Sequence, residues 1–419
     1  MSWINWLDYS SEERERVLEL LATPKDKGTL DELGVGTVRD AIADHLFPPL
    51  NTIQTRAKYF LFVPWIYRQL EQGNVADERL PGTGANRERA LIEALLSSDC
   101  PDKDGLLGKE ARGELKRLPS SIYWSGLRRL GIFCDGSSLS EYLHEIRDIR
   151  HHGRQRARDA LEVSVEPGRA TATSWDLGLP EDEPNFLKTS HFGLTSPQAS
   201  YLREKTLAMA TPSGRACLLQ WLLENAPVAS TQALRSPWDL LGEPAAGRLP
   251  APLRNDLVHA RNFSACVQGL TTLYYAFLGQ ALQMDPQPHR DALARWSDSL
   301  RSWSTDLCAW HEDIEAFWSW VRLANPRLQR DAPFLGEWLA LLARQRFAPA
   351  GPDALLTPDL HRLLLHRERA LKGALARLSN PGPLSRWKHA VDGNLLTYRW
   401  PTAQQFLVDV RAGLGVTNA

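Results

Sequence analysis

Apolar residues recur every three or four positions along most of the 419-residue chain, which is the spacing of one face of an α-helix. The most regular stretch alternates steps of four and three over eight apolar positions, and this heptad seam predicts one long helix from about residue 288 to 323. We expect it to pack against a helix at 263–282 in an antiparallel bundle. The seam positions are Trp296, Leu300, Trp303, Leu307, Trp310, Ile314, Phe317 and Val321.

The stretch from Gly34 to Leu70 predicts two further helices joined by a Pro-Pro turn. We expect the second helix to begin at Asn51 or Thr52. Pro64 is expected to kink or divide this helix, because proline cannot donate the hydrogen bond that a helix interior requires. The residues from 82 to 86 are typical of a loop, and an amphipathic helix is expected to follow them.

The segment from Ser10 to Leu21 predicts a helix at the start of the chain. Ser10 and Glu13 fit a capping box, and Val17, Leu18 and Leu21 fall on one apolar face. The other positions carry mainly glutamate, so we expect an acidic amphipathic helix.

Helical periodicity disappears between residues 163 and 196, where Gly, Pro, Ser and Asp become frequent. Such composition is typical of an exposed linker or an irregular connection. We therefore expect a mainly α, multi-helical, two-domain protein with little β structure. Residues 1–165 would form an N-terminal helical domain with a candidate winged-helix-like element, 166–195 the connection, and 196–419 a C-terminal helical bundle that contains the long heptad-patterned helix. The only short strand or hairpin is expected between Trp387 and Trp400.

The composition mainly excludes some classes of protein. The formal net charge is −1, so the chain is not basic throughout, although local basic patches can still bind nucleic acid. An acidic helix, instead of a basic segment and a long apolar run, opens the chain. We therefore expect no signal peptide, no membrane partner and a cytoplasmic location. No cofactor is expected.

The cysteines indicate reduced thiols in a cytosol, not a disulfide framework or a zinc site. They have no CxxC spacing and no neighbouring histidine ligands, so no metal site is predicted. The five are Cys100, Cys134, Cys217, Cys266 and Cys308.

Three cations between residues 34 and 70 lie at the border of an apolar helix face. They are Arg39, Arg56 and Lys58. In one interpretation their stems pack against the core and their charges pair with internal acids such as Asp40 or Asp44. In the other they clamp a phosphate or carboxylate, as part of a nucleic-acid interface or a small-anion pocket, because a planar guanidinium matches an oxyanion.

The sequence SSIYWSGLRRLGI at residues 120–132 predicts a short helix. With the preceding ELKRL segment it fits a helix-turn-helix or winged-helix element, whose second helix would present Tyr123, Arg128 and Arg129 to nucleic acid. Helix-turn-helix shapes are also common in all-helical packing, so both interpretations stay open.

The most basic part of the chain follows, within EIRDIRHHGRQRARDALE. It is either a solvated helix face or a strip that binds phosphates without sequence preference. Its arginines are Arg147, Arg150, Arg154, Arg156 and Arg158.

A single pair of residues suggests catalysis. Arg254 and His259 fit an Arg-x4-His pattern that resembles the motif of the helical HEPN ribonucleases. That resemblance implies a metal-independent ribonuclease in which both side chains share one helix face. The histidine would act as general acid or base and the arginine would stabilise the developing charge. Alternatively, Arg254 faces solvent and His259 lies at a helix boundary.

Three motifs carry a wider resemblance: MSWINWLDYSSEERERVLELL, GTVRDAIADHLFPPLNTIQTRAKYFLFVPWIYRQLE and SSIYWSGLRRLGI. Together they resemble an uncharacterised bacterial domain-of-unknown-function family, which is found near helicase-like and nuclease genes of the antiphage type. The resemblance covers most of the chain and assigns no catalytic residues. Pro49 stands where the family pattern has glycine.

Two functions follow as expectations. The first is a non-enzymatic adaptor or nucleic-acid-binding subunit of a bacterial antiphage defence assembly, with helicase and nuclease proteins of the same system and DNA or RNA as partners. The alternative is the HEPN-like ribonuclease that would use Arg254 and His259.

Overall fold

A computed structural model of the chain describes residues 33–73, 75–98, 103–109, 115, 117–146, 148–149, 173–225, 231–242, 249–326, 328 and 332–415. The helix predicted from Ser10 to Leu21 lies outside these residues.

Helices form most of the described structure, so the mainly α prediction is confirmed. No β-strand is present among the described residues, which contain an isolated antiparallel bridge between Phe133 and Trp175. Residues 139–146 are also helical, and short 3-10 turns occur at Asp77–Arg79, Pro237–Leu241, Pro352–Ala354 and Gly373–Leu375. The α-helices are α1 (Gly36–Leu46), α2 (Tyr59–Gln72), α3 (Leu80–Ser97), α4 (Pro119–Arg129), α5 (Ser196–Ala208), α6 (Leu218–Asn225), α7 (Ala251–Ala281), α8 (Gln287–Ser302), α9 (Ser304–Glu312), α10 (Ile314–Ala324), α11 (Ala332–Arg344), α12 (Pro358–Lys372), α13 (Pro381–Ser385) and α14 (Trp400–Gly413).

The described residues divide into two compact units that are interleaved along the sequence. The first unit contains residues 33–36, Val267–Ser304 and Pro333–Asn394. The second contains the described residues of Thr37–Cys266, Thr305–Ala332 and Leu395–Ala419. The domain boundaries expected from the sequence, at residues 165 and 196, stay a prediction.

The prediction of one long helix at 288–323 is wrong. Three helices, α8, α9 and α10, occupy this stretch, and Trp303 and Asp313 between them depart from helical backbone angles. The predicted seam is nevertheless mostly buried, with Trp303 and Ile314 partly exposed. Apolar spacing therefore located the buried positions, whereas continuity of the helix depends on backbone angles that spacing does not determine.

The predicted antiparallel packing of α8 on α7 is present. A Cβ built on Gly269 would lie 2.0 Å from the ring of Trp296, and one built on Gly279 would lie 2.6 Å from the ring of His289. Later positions of α8 thus meet earlier positions of α7. Glycine at these two sites allows the rings to approach the α7 backbone closely.

Helix α2 begins later than predicted and contains Pro64 without a break. Residues 51–58 turn instead, because Asn51 Oδ1 accepts hydrogen bonds from the amides of Ile53 and Gln54, both at 3.1 Å. Pro64 loses one helix hydrogen bond, but α2 is buried on all sides from Tyr59 to Tyr67, so tertiary packing holds the helix around it.

Two other local predictions are wrong. The expected loop at residues 82–86 forms the first turns of α3, where Gly84 packs against the ring of Tyr67. The expected strand or hairpin between Trp387 and Trp400 is irregular.

Hydroxyl groups of α7 replace the hydrogen bonds of a strand partner in that segment. Thr272 Oγ1 accepts from Gly393 N at 3.0 Å, and Ser264 Oγ accepts from Leu396 N at 2.8 Å. The segment therefore satisfies these backbone amides without forming a sheet.

Residues 173–195 form no helix but pack closely on α2. Trp65 Nε1 donates to Pro180 O at 2.8 Å, and Trp175, Leu179 and Phe192 are buried. This irregular connection thus contributes to the core around α2.

Candidate functional site

Arg56, one of the three border cations, forms a buried ion pair. Its Nε and Nη2 atoms lie 3.1 and 3.0 Å from Asp409 Oδ1, and the amide of Ala57 donates to Asp409 Oδ2 at 2.8 Å. Burial raises the pKa of Asp409, while the hydrogen bonds and charge of Arg56 oppose that rise. The guanidinium is thus engaged by an internal carboxylate.

Lys58 is completely buried. Its Nζ donates to Glu183 Oε1 at 2.5 Å and to Gly193 O at 2.7 Å. An internal acid and a backbone carbonyl therefore compensate the desolvation of this ammonium group.

Arg39 pairs with the adjacent Asp40 at the surface, with 3.0 Å between Nε and Oδ1. Internal pairing, one of the two interpretations that the sequence left open, is therefore observed for all three border cations. To reach the two buried cations, an external phosphate would have to displace the carboxylates of Asp409 and Glu183.

A small depression with a cavity volume of about 10 Å³ borders Arg56. Its lining is largely apolar and includes Leu50, Phe60 and Phe406. Small-molecule sites usually enclose about 300–1,000 Å³, so this depression does not favour a nucleotide pocket.

Helix α4 is fixed to the core at its N-terminal end. Glu88 accepts hydrogen bonds from the Ser120 amide and hydroxyl, both at 2.7 Å, and from the Tyr67 hydroxyl at 2.8 Å. Burial raises the pKa of Glu88, and these hydrogen bonds oppose the rise. A carboxylate at this end of a helix also interacts favourably with the helix dipole.

Tyr123 anchors the middle of α4, and the prediction that it is presented to nucleic acid is wrong. The side chain is buried. Its hydroxyl accepts from the amides of Thr55 and Arg56, at 2.8 and 3.1 Å, and donates to Arg56 O at 3.0 Å. One turn of helix separates it from Ser120, so both residues face the core.

The opposite face of α4 is exposed and polar. Ser121, Ser125, Arg128 and Arg129 are all exposed, and their spacing of four, three and one positions puts them on one side of the helix. Within the described part of the chain, neither arginine side chain has a hydrogen-bond or ion-pair partner. We call these four residues the α4 face.

Glu141 lies close enough to Arg128 to feel its charge. Hydrogen bonds from Ser138 lower the pKa of Glu141, and the charge of Arg128 lowers it further. Sequence inspection selected the two arginines but missed Ser121 and Ser125. The spacing of four positions between the two serines indicates that they share one side of the helix. The burial of Tyr123 then shows that this side is the exposed one.

Five of the predicted basic positions, Arg147, Arg150, Arg154, Arg156 and Arg158, lie outside the described residues. The contribution of these arginines to an interface stays a prediction. In the ELKRL segment, which would form the first helix of a helix-turn-helix element, residues 114 and 116 also lie outside them, and the described residues 115, 117 and 118 are not helical. These three residues therefore do not form the first helix that was predicted.

Arg254 and His259 both lie on α7, five positions apart. At 3.6 residues per turn this spacing separates two side chains by about 140° around the helix axis. Trp310 Nε1 donates to His259 Nδ1 at 2.9 Å, and burial lowers the pKa of His259 to about 4. The imidazole is therefore neutral at pH 7 with one nitrogen engaged, and catalysis by this pair stays a prediction.

A second histidine, which the sequence did not single out, lies in the same cluster. The ring of His45 stacks on Trp320 with 4.4 Å between ring centroids, and its Nε2 is 2.6 Å from Trp320 O. His259 packs at 5.2 Å from Trp320. Burial lowers the pKa of His45 to about 4. No local pattern connects His45 to a residue 275 positions away.

The described ranges contain no group of three or more His, Cys, Asp or Glu side chains that could hold a metal ion. Among the helices of the described part, none is long and apolar enough to cross a bilayer. Among the described residues, Cys134, Cys217, Cys266 and Cys308 are not in disulfide bonds.

Comparison with known families gives one match, to a family of unknown function (DUF6361), over residues 1–413. No curated protein and no solved structure matches the chain.

Proposed function

The chain belongs to the family of unknown function DUF6361, and we propose that it is a non-enzymatic, nucleic-acid-binding subunit of a bacterial antiphage defence assembly. Its partners are helicase and nuclease proteins of the same system, as the resemblance described above implies, and it works in the cytoplasm. DNA or RNA binds through the α4 face.

The observation that carries this proposal is the contrast between the two faces of α4. One face is immobilised through Glu88 and Tyr123, whereas the other presents Arg128 and Arg129 to solvent. Arginine guanidinium groups bind phosphate oxygens with two parallel hydrogen bonds. The exposed Ser125 hydroxyl adds a donor for phosphate oxygens or base edges, whereas the Ser121 hydroxyl already donates to Leu118 O at 2.7 Å.

Immobilisation of α4 favours binding because the helix has little freedom left to lose. Only the two arginine side chains would become ordered on contact with a phosphate backbone. A helix at the protein surface also matches the width of a DNA major groove.

The adaptor role is supported by the internal use of the groups that could otherwise do chemistry. Arg56 is paired with Asp409, Lys58 with Glu183, and His259 accepts from Trp310. The first two contacts engage the charged groups of Arg56 and Lys58, and the third engages Nδ1 of the His259 ring.

A binding experiment tests the proposal. Fluorescence anisotropy at about 50 mM salt would compare the wild type with the variant Arg128→Ser/Arg129→Ser, using duplex DNA, single-stranded DNA and RNA. Arg386→Ser/Lys388→Ser is the matched control, because it also removes two neighbouring exposed cations. We expect the α4 variant to bind at least about tenfold more weakly than the wild type. The control should retain wild-type affinity.

Equal affinity of the α4 variant and the wild type would contradict the proposal. The same RNA samples are inspected for cleavage, with His259→Ala beside the wild type. Cleavage that His259→Ala abolishes would replace the proposal with the ribonuclease alternative.

The assembly itself is tested by co-expression with the neighbouring genes. Affinity purification of the tagged chain should recover the helicase or nuclease protein in a fixed ratio. Recovery of the chain alone would contradict the adaptor role.

A further inference from the structure

Helix α12 carries an apolar stripe that is covered over only part of its length. Leu360 and Leu364 are buried, but Leu371, on the same side of the helix, is 43% exposed. Leu375, in the 3-10 turn that follows, is 65% exposed. We call Leu371 and Leu375 the α12 patch.

The chain enters the described structure beside this patch. Arg367 Nε donates to Leu33 O at 2.8 Å, and Arg367 Nη2 donates to Gly34 O at 3.0 Å. Gly34 has a φ of +70°, and a Cβ at this position would lie 2.9 Å from Leu371 Cδ1. The backbone at residues 33 and 34 is therefore fixed one helical turn before Leu371.

The residues that precede Leu33 contain an apolar stripe of suitable size. Val17, Leu18 and Leu21 share one side of the predicted helix from Ser10 to Leu21, which lies outside the described residues. Leu33 follows Leu21 by twelve positions, and such a length spans up to about 40 Å. The stripe is therefore within reach of the patch.

The charges of the two elements are complementary. Four glutamates and two arginines occur between Ser10 and Leu21. The last turns of α12 and the residues after it contain Arg367, Arg369, Lys372 and Arg377. The one acid among them, Glu368, is buried, pairs with Lys372 at 3.2 Å and accepts from the Tyr274 hydroxyl and the amides of Arg377 and Leu378. The stretch from Arg367 to Arg377 therefore keeps an excess of positive charge.

From these observations, and independently of the proposed function, we infer that the α12 patch is the docking surface for the segment Ser10–Leu21 of the same chain. Val17, Leu18 and Leu21 cover Leu371 and Leu375, and the glutamates lie towards the basic end of α12. Because the chain is tethered at Leu33, docking is intramolecular and a small apolar patch suffices.

Hydrogen exchange of the full-length chain, read by mass spectrometry, tests this docking. The amides of residues 12–21 are compared in the wild type, in Leu371→Ser/Leu375→Ser and in the control Leu177→Ser. Leu177 is 86% exposed and belongs to the other unit. We expect exchange of residues 12–21 to be at least about tenfold faster in the patch variant than in the wild type, with the control unchanged. Both patch leucines are exposed, so circular dichroism should show that the variant folds.

Three results would overturn the inference. The amides of residues 12–21 could exchange at the unprotected rate in the wild type, or their protection could be equal in the wild type and the patch variant. Protection that increases with protein concentration would assign the contact to a second copy of the chain.

Discussion

Each buried charge of the Arg56–Asp409 pair is unfavourable alone, and the opposite charge of its partner is what balances it. Replacing Arg56 by alanine would leave a buried carboxylate without its cation. We expect Arg56→Ala to lower the free energy of unfolding by about 3–5 kcal/mol, and Arg56→Met with Asp409→Leu to lower it by much less. Urea unfolding of the wild type, the single variants and the double variant measures this.

The control for this prediction is a pair at the surface. Arg362 pairs with Asp359, and both side chains are largely exposed. Arg362→Ala should change the free energy of unfolding by no more than about 0.5 kcal/mol. If Arg56→Ala behaved like Arg362→Ala, the buried pair would not contribute as described.

The two buried histidines predict a loss of stability in mild acid. Burial lowers the pKa of His45 and of His259 to about 4, from an ordinary value of 6.5. The folded state therefore binds fewer protons than the unfolded chain between these values. Stability is complete above pH 6.5 and decreases as the pH falls towards 4, by about 2 kcal/mol per histidine between pH 7.5 and 5.

The difference between the free energies of unfolding at pH 7.5 and at pH 5 tests this prediction. His45→Gln should remove about 2 kcal/mol of the pH dependence, because glutamine does not titrate but can still donate to Trp320 O. His366→Gln, at an exposed position, is the control and should keep the wild-type pH dependence. An unchanged pH dependence in His45→Gln would show that this ring does not resist protonation.

At the residue scale, helical spacing puts Arg39, Arg56 and Lys58 at the border of an apolar helix face. The structure instead places Arg56 and Lys58 in the turn before α2, where both are buried. The partner of Arg56 is 353 positions away and that of Lys58 is 125 positions away. No local sequence pattern can reveal partners so far apart in the chain. The three-dimensional structure was therefore needed to choose between internal pairing and phosphate binding.

At the scale of elements, the contact of α4 with the core depends on a glycine. A Cβ on Gly126 would lie 2.4 Å from Pro49 O and 2.7 Å from the ring of Phe60. Gly126→Ala should lower the free energy of unfolding by about 1–3 kcal/mol, because overpacking against backbone outweighs the higher helix propensity of alanine.

A helical glycine with free space around it provides the matched control. A Cβ added to Gly82 in α3 would meet no atom within 4 Å. Gly82→Ala should therefore raise the free energy of unfolding by up to about 1 kcal/mol. Thermal unfolding of both variants should give shifts of opposite sign, and a stabilising Gly126→Ala would contradict the close packing of α4.

The elements also show what apolar spacing can and cannot predict. The seam from Trp296 to Val321 correctly marks buried positions, but Trp303 and Asp313 divide the predicted helix. At Pro64 the opposite occurs: the predicted kink or break is absent, since tertiary packing maintains a helix that local propensity would interrupt. Packing thus decides the backbone at Pro64, whereas the backbone angles at Trp303 and Asp313 are ones that apolar spacing does not determine.

At the scale of the whole molecule, the two compact units take their residues from alternating parts of the chain. A composition change marks a boundary only where a domain is continuous in sequence, so interleaved units leave no such mark. The mainly α class could be predicted because it depends on spacing alone.

The balance of charge over the whole molecule explains why the candidate interface is small. The net charge is −1, and many arginines and lysines of the described residues pair with acids. Attraction of nucleic acid would therefore depend on local groups such as Arg128 and Arg129, not on the overall charge.

The salt dependence of binding tests this account most directly. Each phosphate contact contributes about 0.9 to the slope of log K against log salt for duplex DNA. Between 50 and 200 mM salt, the slope for Arg128→Ser/Arg129→Ser should be shallower than that of the wild type by about 1.8, whereas Arg386→Ser/Lys388→Ser should keep the wild-type slope. Equal slopes for all three proteins, or no salt-sensitive binding by the wild type, would contradict nucleic-acid binding through the α4 face.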